Sequence, residues 1–187
     1  MNAPAGAETR ERRLVLLLAL AGALARLWAF GRLGLTHFDE GIYAISGLWA
    51  VAPGGLSAFD AGVIAYAPPG FPFVVGLAYG LLGVSDGAAI LPATVLGVIA
   101  VPLAGWVGSR TFGMRAGVAA AAFAAFSFAA IALSRKALTD MPFLVCWLLA
   151  MGAAGRFLER PGFARAVALG LAVALSQYFK YNGWRAG

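Results

Sequence analysis

Charge is what this chain has least of. Only 12% of its 187 residues are Asp, Glu, Lys or Arg, eight of them acidic, and there is one histidine and one cysteine. A single cysteine excludes an intrachain disulfide, and without further Cys or His there is no zinc-ligand spacing. Cys146 lies inside an apolar run. The net charge of +6 comes from basic residues scattered in short clusters between apolar stretches. That pattern sets topology on a bilayer and does not form a nucleic-acid face, so nucleic acid is not an expected partner. What fills the chain is apolar: 61% hydrophobic residues and a mean hydropathy of +0.84. Such values exclude an ordinary soluble domain and point to a polytopic membrane protein whose partner is the lipid bilayer.

The apolar segments run over 14–35, 67–83, 88–108, 116–133, 141–157 and 166–180. Each is rich in Ala, Leu, Val and Gly without the period-2 alternation of strands, so each reads as a helix. The abundant Gly and Ala suit close helix packing in lipid. Arg10, Arg12 and Arg13 followed by the Ala23-Leu24-Ala25 form could mark a cleaved leader, but apolar character resumes as far as Leu35. The segment reads as an uncleaved anchor.

Segment 67–83 decides the topology. At ~1.5 Å per residue it reaches about 25 Å, slightly short of a ~30 Å apolar core, and neighbouring segments are nearly as short. Charge discriminates better. With the N-terminus inside and this segment crossing, Arg10, Arg12, Arg13, Arg135 and Lys136 lie inside against Arg110, Arg115, Arg156, Arg160 and Arg165 outside. If it returns to the outer face, all of these except Arg135 and Lys136 lie inside. The excess of basic residues on cytoplasmic loops favours the second arrangement. Pro68, Pro69 and Pro72 also suit a bent entry. The expected fold is therefore all-α: a membrane bundle with about five transmembrane helices (14–35, 88–108, 116–133, 141–157, 166–180) and an outer loop 36–87 whose helix 67–83 stays shallow.

That outer loop carries Asp39, Glu40, Asp60 and Asp86 with no Lys or Arg, and Asp140 falls on the same face. Carboxylates at a membrane edge cost desolvation energy unless they are solvated, paired or used. Thr36-His37-Phe38-Asp39-Glu40-Gly41-Ile42-Tyr43 is thus either a solvated loop or one wall of an aqueous pocket. Arg135 and Lys136, on the disfavoured face beside Asp140, and Lys180 at the end of the last span suggest an anionic ligand such as phosphate. A local ion pair with Asp140 is the alternative. His37 reads as an interfacial hydrogen-bonding residue, and Arg26, inside the first span, as a side chain that faces the bundle or, more simply, snorkels outward. Gly76, Gly80 and Gly83 read as a packing face.

Together these residues resemble the N-terminal half of the GT-C superfamily of integral-membrane glycosyltransferases, in the branch of protein O-mannosyltransferases and lipid A aminoarabinose transferases. Asp39-Glu40-Gly41-Ile42-Tyr43 resembles the first-loop Asp-Glu-x-x-Tyr motif, and Tyr66-Ala67-Pro68-Pro69-Gly70 the Pro-Pro element at the end of that loop. Leu82-Gly83-Val84-Ser85 with Leu91-Pro92 is similar to the turn into the second span. Ser134-Arg135-Lys136-Ala137-Leu138-Thr139-Asp140 is similar to the second acidic loop, and Lys180-Tyr181-Asn182-Gly183 to the Lys-Tyr closing a later helix. Ala67 stands where the aminoarabinose branch often has Lys. Relatives continue with further spans and usually an extracytoplasmic domain, so the chain reads as a partial product.

The resemblance implies transfer of a hexose or pentose from a polyprenyl-phosphate donor to a hydroxyl of a lipid, glycan or protein acceptor, serving cell-envelope glycan synthesis. It implies the outer face of a bacterial plasma membrane, with the N-terminus cytoplasmic. The chemistry needs a base for the acceptor proton and positive charge for the departing phosphate. Asp39 is the expected base, its basicity raised by desolvation. Glu40 would orient Asp39 or cap the following helix. Asp140 would position the acceptor or share a Mg²⁺ or Mn²⁺ ion with Asp39, although two acids alone do not define a metal site. Arg135, Lys136 and Lys180 are candidates for the phosphate, and Tyr43 and Tyr66 for sugar stacking or loop packing. The alternatives are a fragment of a polytopic transporter, although a transporter would keep its ionisable groups near the bilayer midplane, and a non-catalytic membrane scaffold.

Overall fold

The computed structural model describes residues 5–49, 51 and 68–181, and every regular element among them is a helix. In chain order these are α1 (Ala5–Leu27), a 3-10 turn (Phe30–Arg32), α2 (Phe38–Leu48), α3 (Gly70–Leu82), α4 (Asp86–Phe112), α5 (Met114–Phe126), α6 (Phe128–Ser134), α7 (Asp140–Glu159) and α8 (Phe163–Phe179). Three stretches are long and apolar enough to cross a membrane: Thr9–Arg32, Asp86–Phe112 and Asp140–Glu159. Helices α5 and α6 form a fourth candidate, bent by 55°. The 17-residue α8 and the 13-residue α3 are shorter apolar helices.

The stretch 116–133, read from sequence as one helix, is therefore two. The break falls at Ser127, whose backbone turns extended (ψ 123°) and whose hydroxyl accepts the Ala130 N–H at 3.5 Å. Serine offers the backbone a local alternative to the helical ladder, and here it restarts the helix at a new angle.

Leucines 16, 17, 20 and 24 on α1 are 58–65% exposed, and Leu171 on α8 is 61% exposed. Apolar ridges of this extent match a hydrocarbon solvent and not water. The chain is an integral membrane protein folded as an all-helical bundle.

Helix α4 sits at the centre. Its Gly105 and Gly108 lie against Gly117, Ala120 and Ala121 of α5, where the absence of side chains lets the two backbones approach. Gly113, at φ 89°, makes the turn between the two helices, a backbone conformation that only glycine adopts without strain. Val101, Ala121 and Ala125 form one buried cluster, closed by Val15 and Leu18 of α1. A larger cluster includes Ala44, Phe71, Val75, Tyr79, Ile90, Ala93, Ala137 and Met141. It welds α2 and α3 to the first turns of α4 and α7.

Helix ends are matched by specific contacts. Gly87 of α4 faces the Phe30 ring, and Asp86 Oδ2 accepts the Leu35 N–H at 3.4 Å. Gly105, near the far end of α4, faces Val15 of α1. Helices α1 and α4 are therefore antiparallel, and the end of α1 shares one end of the bundle with the start of α4. The Ser134–Asp140 connection and the end of α8 join that same end. Arg135 donates to backbone carbonyls of Arg26 and Trp28 at 2.7 and 2.6 Å, and Lys180 reaches Asp140 at 2.7 Å. At the other end Arg156 of α7 lies over the Trp106 ring of α4, 5.0 Å from its centroid.

Candidate active site

The site begins with the first turn of α2. His37 is the N-cap in extended conformation, and its Nδ1 accepts the Asp39 N–H at 3.2 Å. Glu40, three residues on, turns back: its Oε2 accepts the N–H groups of His37 at 2.8 Å and Thr36 at 3.0 Å, together with the Thr36 hydroxyl at 3.3 Å. This is a capping box, which satisfies donors that a helix start leaves open. The second oxygen does something else. Glu40 Oε1 accepts the N–H of Ala137 at 2.8 Å, across 97 residues of chain. Both Glu40 and Ala137 are fully buried. One carboxylate thus ties the first acidic loop to the second, and none of these four bonds goes to the Asp39 side chain.

Asp39 is the opposite case. Its side chain is 54% exposed, with His37 Nδ1 3.8 Å from Oδ2. The described residues leave the carboxylate uncovered.

Tyr43 lies one helical turn beyond Asp39 on α2. Its phenol shares a hydrogen bond with the Thr139 side chain and feels the charges of Asp39, Lys180 and Asp140. Burial is the main influence on its proton and pushes the phenol above its ordinary value. Its ring packs edge-on against Phe71, with centroids 5.6 Å apart. Thr139 is 4% exposed and precedes α7 without capping it, so its hydroxyl is available to Tyr43. Asp140 then opens α7, and its Oδ1 receives Lys180 Nζ. Asp39, Tyr43, Thr139, Asp140 and Lys180 are therefore one neighbourhood, built from α2, the start of α7 and the end of α8.

The basic residues expected near a phosphate divide. Lys180 holds Asp140, so the ion pair foreseen for Arg135 or Lys136 is made by Lys180. Arg135 turns its Nη1 to the end of α1, where cations complement open carbonyls. Lys136 is half-buried beside Ala137. Tyr66 and Asp60 lie outside the described residues. Among the described residues no group of three His, Cys, Asp or Glu side chains could hold a metal ion. With Asp140 already bound to an ammonium, the donor set does not fit Mg²⁺ or Mn²⁺, and no step below is routed through a metal.

Arg26 corrects the sequence reading. It does not snorkel; it is 1% exposed inside the bundle. Its Nη1 donates to Gly22 O at 3.0 Å and Ala125 O at 3.1 Å, and its Nη2 to Ala124 O at 2.8 Å. The Ala124 and Ala125 carbonyls sit just before the Ser127 break, where the helical ladder ends and leaves acceptors open. Gly22, one turn earlier, makes room for the side chain. Thr139 was also not foreseen; a Thr directly before the acid of a helix start was its only signal in the sequence.

An antiparallel membrane bundle with carboxylate, phenol and ammonium gathered at one end fits a membrane-embedded group-transfer enzyme. Residues 66–185 match the family described as dolichyl-phosphate-mannose-protein mannosyltransferase. The chain belongs to that family, and so to the membrane glycosyltransferases of the GT-C type. The match takes in Asp140 and Lys180 and begins after Asp39–Tyr43. Neither a curated protein nor a solved structure matches the chain.

Proposed function

We propose that this chain carries the catalytic first loop of a glycosyltransferase that moves a hexose or pentose from a polyprenyl-phosphate donor to an acceptor hydroxyl at the outer membrane face. The observation that supports this most is the Glu40 clamp. It holds the loop bearing Asp39 against the start of α7, where Asp140 is paired with Lys180 from the end of α8, so acid, phenol and cation lie together at one end of the bundle.

In this reading Asp39 takes the proton of the acceptor hydroxyl as that oxygen attacks the anomeric carbon. The bond from that carbon to the donor phosphate breaks, and the polyprenyl phosphate leaves with the electron pair. Lys180 and Lys136 meet the growing phosphate charge. Arg135 adds to them with whichever donors the α1 carbonyls leave free. Tyr43 donates a hydrogen bond to the sugar or the phosphate, and Asp140 holds Lys180 in place. A lipid, glycan or protein could supply the hydroxyl.

Topology supports the same reading. Asp86 meets Leu35 at the start of α4, which agrees with residues 36–85 leaving from and returning to one face. Arg110, Arg115, Arg156, Arg160 and Arg165 sit at or beyond the helix ends of the other face, the cytoplasmic one under the positive-inside rule. The membrane would be a bacterial plasma membrane, with α1 entering from the cytoplasm.

The test is Asp39→Asn in the full chain, reconstituted with a polyprenyl-phosphate sugar and assayed by release of polyprenyl phosphate. Removing a general base costs typically 10²–10⁴-fold. The half-exposed side chain leaves the melting temperature unchanged. Transfer at near wild-type rate would remove Asp39 from the mechanism.

A further inference from the structure

We propose that the cleft between α4, α7 and α8, at the end of the bundle away from Asp39, binds the headgroup of one anionic phospholipid. The cleft has a volume of about 640 Å³ and is lined by Arg110 of α4, Arg156 of α7 and Arg165 of α8, with Leu149, Leu171 and Leu175 on its apolar side. Glu159 is the one carboxylate in that lining. Three arginines from three helices thus line a hollow that keeps a net positive charge. The preference of arginine for one membrane face explains why such residues lie at this end. It does not explain their meeting in a single cleft.

The hollow is also shaped by packing. Trp106 lines it, and the Trp106 ring lies where a side chain on Gly152 would stand, so glycine at that position is what seats the indole against α7. The seated ring in turn carries the Arg156 guanidinium over its face, an arrangement that orients a cation. Arg165 donates to the Arg160 carbonyl. A free anion would need only the arginines. The leucine wall adds what an acyl chain fills, and basic pockets between membrane helices are known settings for lipid headgroups. The proposal is independent of the sugar-transfer reading, because it uses no residue of that site.

The experiment is native mass spectrometry of the full chain released from nanodiscs of phosphatidylglycerol and phosphatidylcholine. The wild type is expected to retain one phosphatidylglycerol in preference to phosphatidylcholine. Arg110→Gln with Arg156→Gln is expected to weaken that retention roughly thirtyfold, at about a fivefold loss per basic contact. Arg13→Gln, outside the cleft lining, leaves it unchanged. Should the double variant fail to insert, Arg165→Gln alone carries the test with a loss of roughly fivefold. Equal retention of the two lipids, or retention untouched by the cleft variants, would overturn the proposal. So would displacement of the lipid by millimolar inorganic phosphate, or a species of two chains with no lipid bound. Failure here with Asp39-dependent transfer intact would leave the proposed reaction standing, and the converse holds equally.

Discussion

Replacing Glu40 with alanine is the sharpest test of how the site is held. Four donors point at that carboxylate. Three of them, the Thr36 N–H and hydroxyl and the His37 N–H, belong to exposed residues that water can satisfy after the change. Ala137 is 0% exposed, so its N–H has no such substitute. An orphaned buried donor costs about 1–3 kcal/mol, and loss of a helix cap adds ~1 kcal/mol. The sum, about 2–4 kcal/mol, lowers the melting temperature by roughly 4–16 °C for a chain of this size. Glu40→Gln is graded between the two. Its single carbonyl oxygen can serve either the first-loop donors or Ala137, and its amide nitrogen then faces another N–H. The expected order in thermal denaturation in detergent is wild type, then Glu40→Gln, then Glu40→Ala, with sugar transfer falling in the same order as the two loops part. A Glu40→Ala protein that melts within ~1 °C of wild type would refute the clamp. Full stability with transfer abolished would make Glu40 a reacting group instead of an anchor.

Arg26→Lys tests the buried guanidinium. A lysine ammonium cannot fork to two successive carbonyls, so the expected loss is about 1–3 kcal/mol, read as a lowered melting temperature; an unchanged melt would mean the Ser127 break needs no such support. Lys180→Met separates stability from chemistry. The pair it breaks is about one-third exposed on both sides, so it costs under ~1 kcal/mol, while the KM for the polyprenyl-phosphate donor is expected to rise; an unchanged KM would take Lys180 off the phosphate. Ser85→Cys in a Cys146→Ser background tests topology, because Ser85 is exposed at the start of α4. A membrane-impermeant maleimide added from outside is expected to label it, and labelling only from the cytoplasm would mean that 67–83 crosses.

The sequence made the helices legible because lipid imposes a simple rule: backbone polar groups must be satisfied within the segment, so apolar runs are helices. It also made Asp140 and Lys180 legible as members of one face, since loop charge is counted along the chain. What stayed hidden depends on direction. Whether Arg26 faces lipid or the bundle is a matter of rotation about α1, and the run Leu14–Leu27 is apolar on every side, so no moment reports it. The Ser127 break was equally silent, because one serine in an Ala-rich run is ordinary inside a membrane helix. Arg135 looked free for an anion because the open carbonyls of α1 that recruit it lie 109 residues away.

Asp39 and Glu40 show how two neighbouring acids acquire different work. They stand at the second and third positions of α2, and successive residues on a helix point about 100° apart. With Glu40 turned into the protein, Asp39 points about 100° to the side of it. The third position is also the only one from which a glutamate reaches back to the N-cap N–H, so the buried role falls to Glu40. It leaves Asp39 on the side that opens to solvent, beside Tyr43 one turn further on. Exchanging the two residues keeps composition and net charge but shortens the carboxylate at the third position by one methylene. The aspartate there would fall short of Ala137, and both the clamp and the open carboxylate would be lost together. The adjacent acids are thus a single device in which fixing one exposes the other.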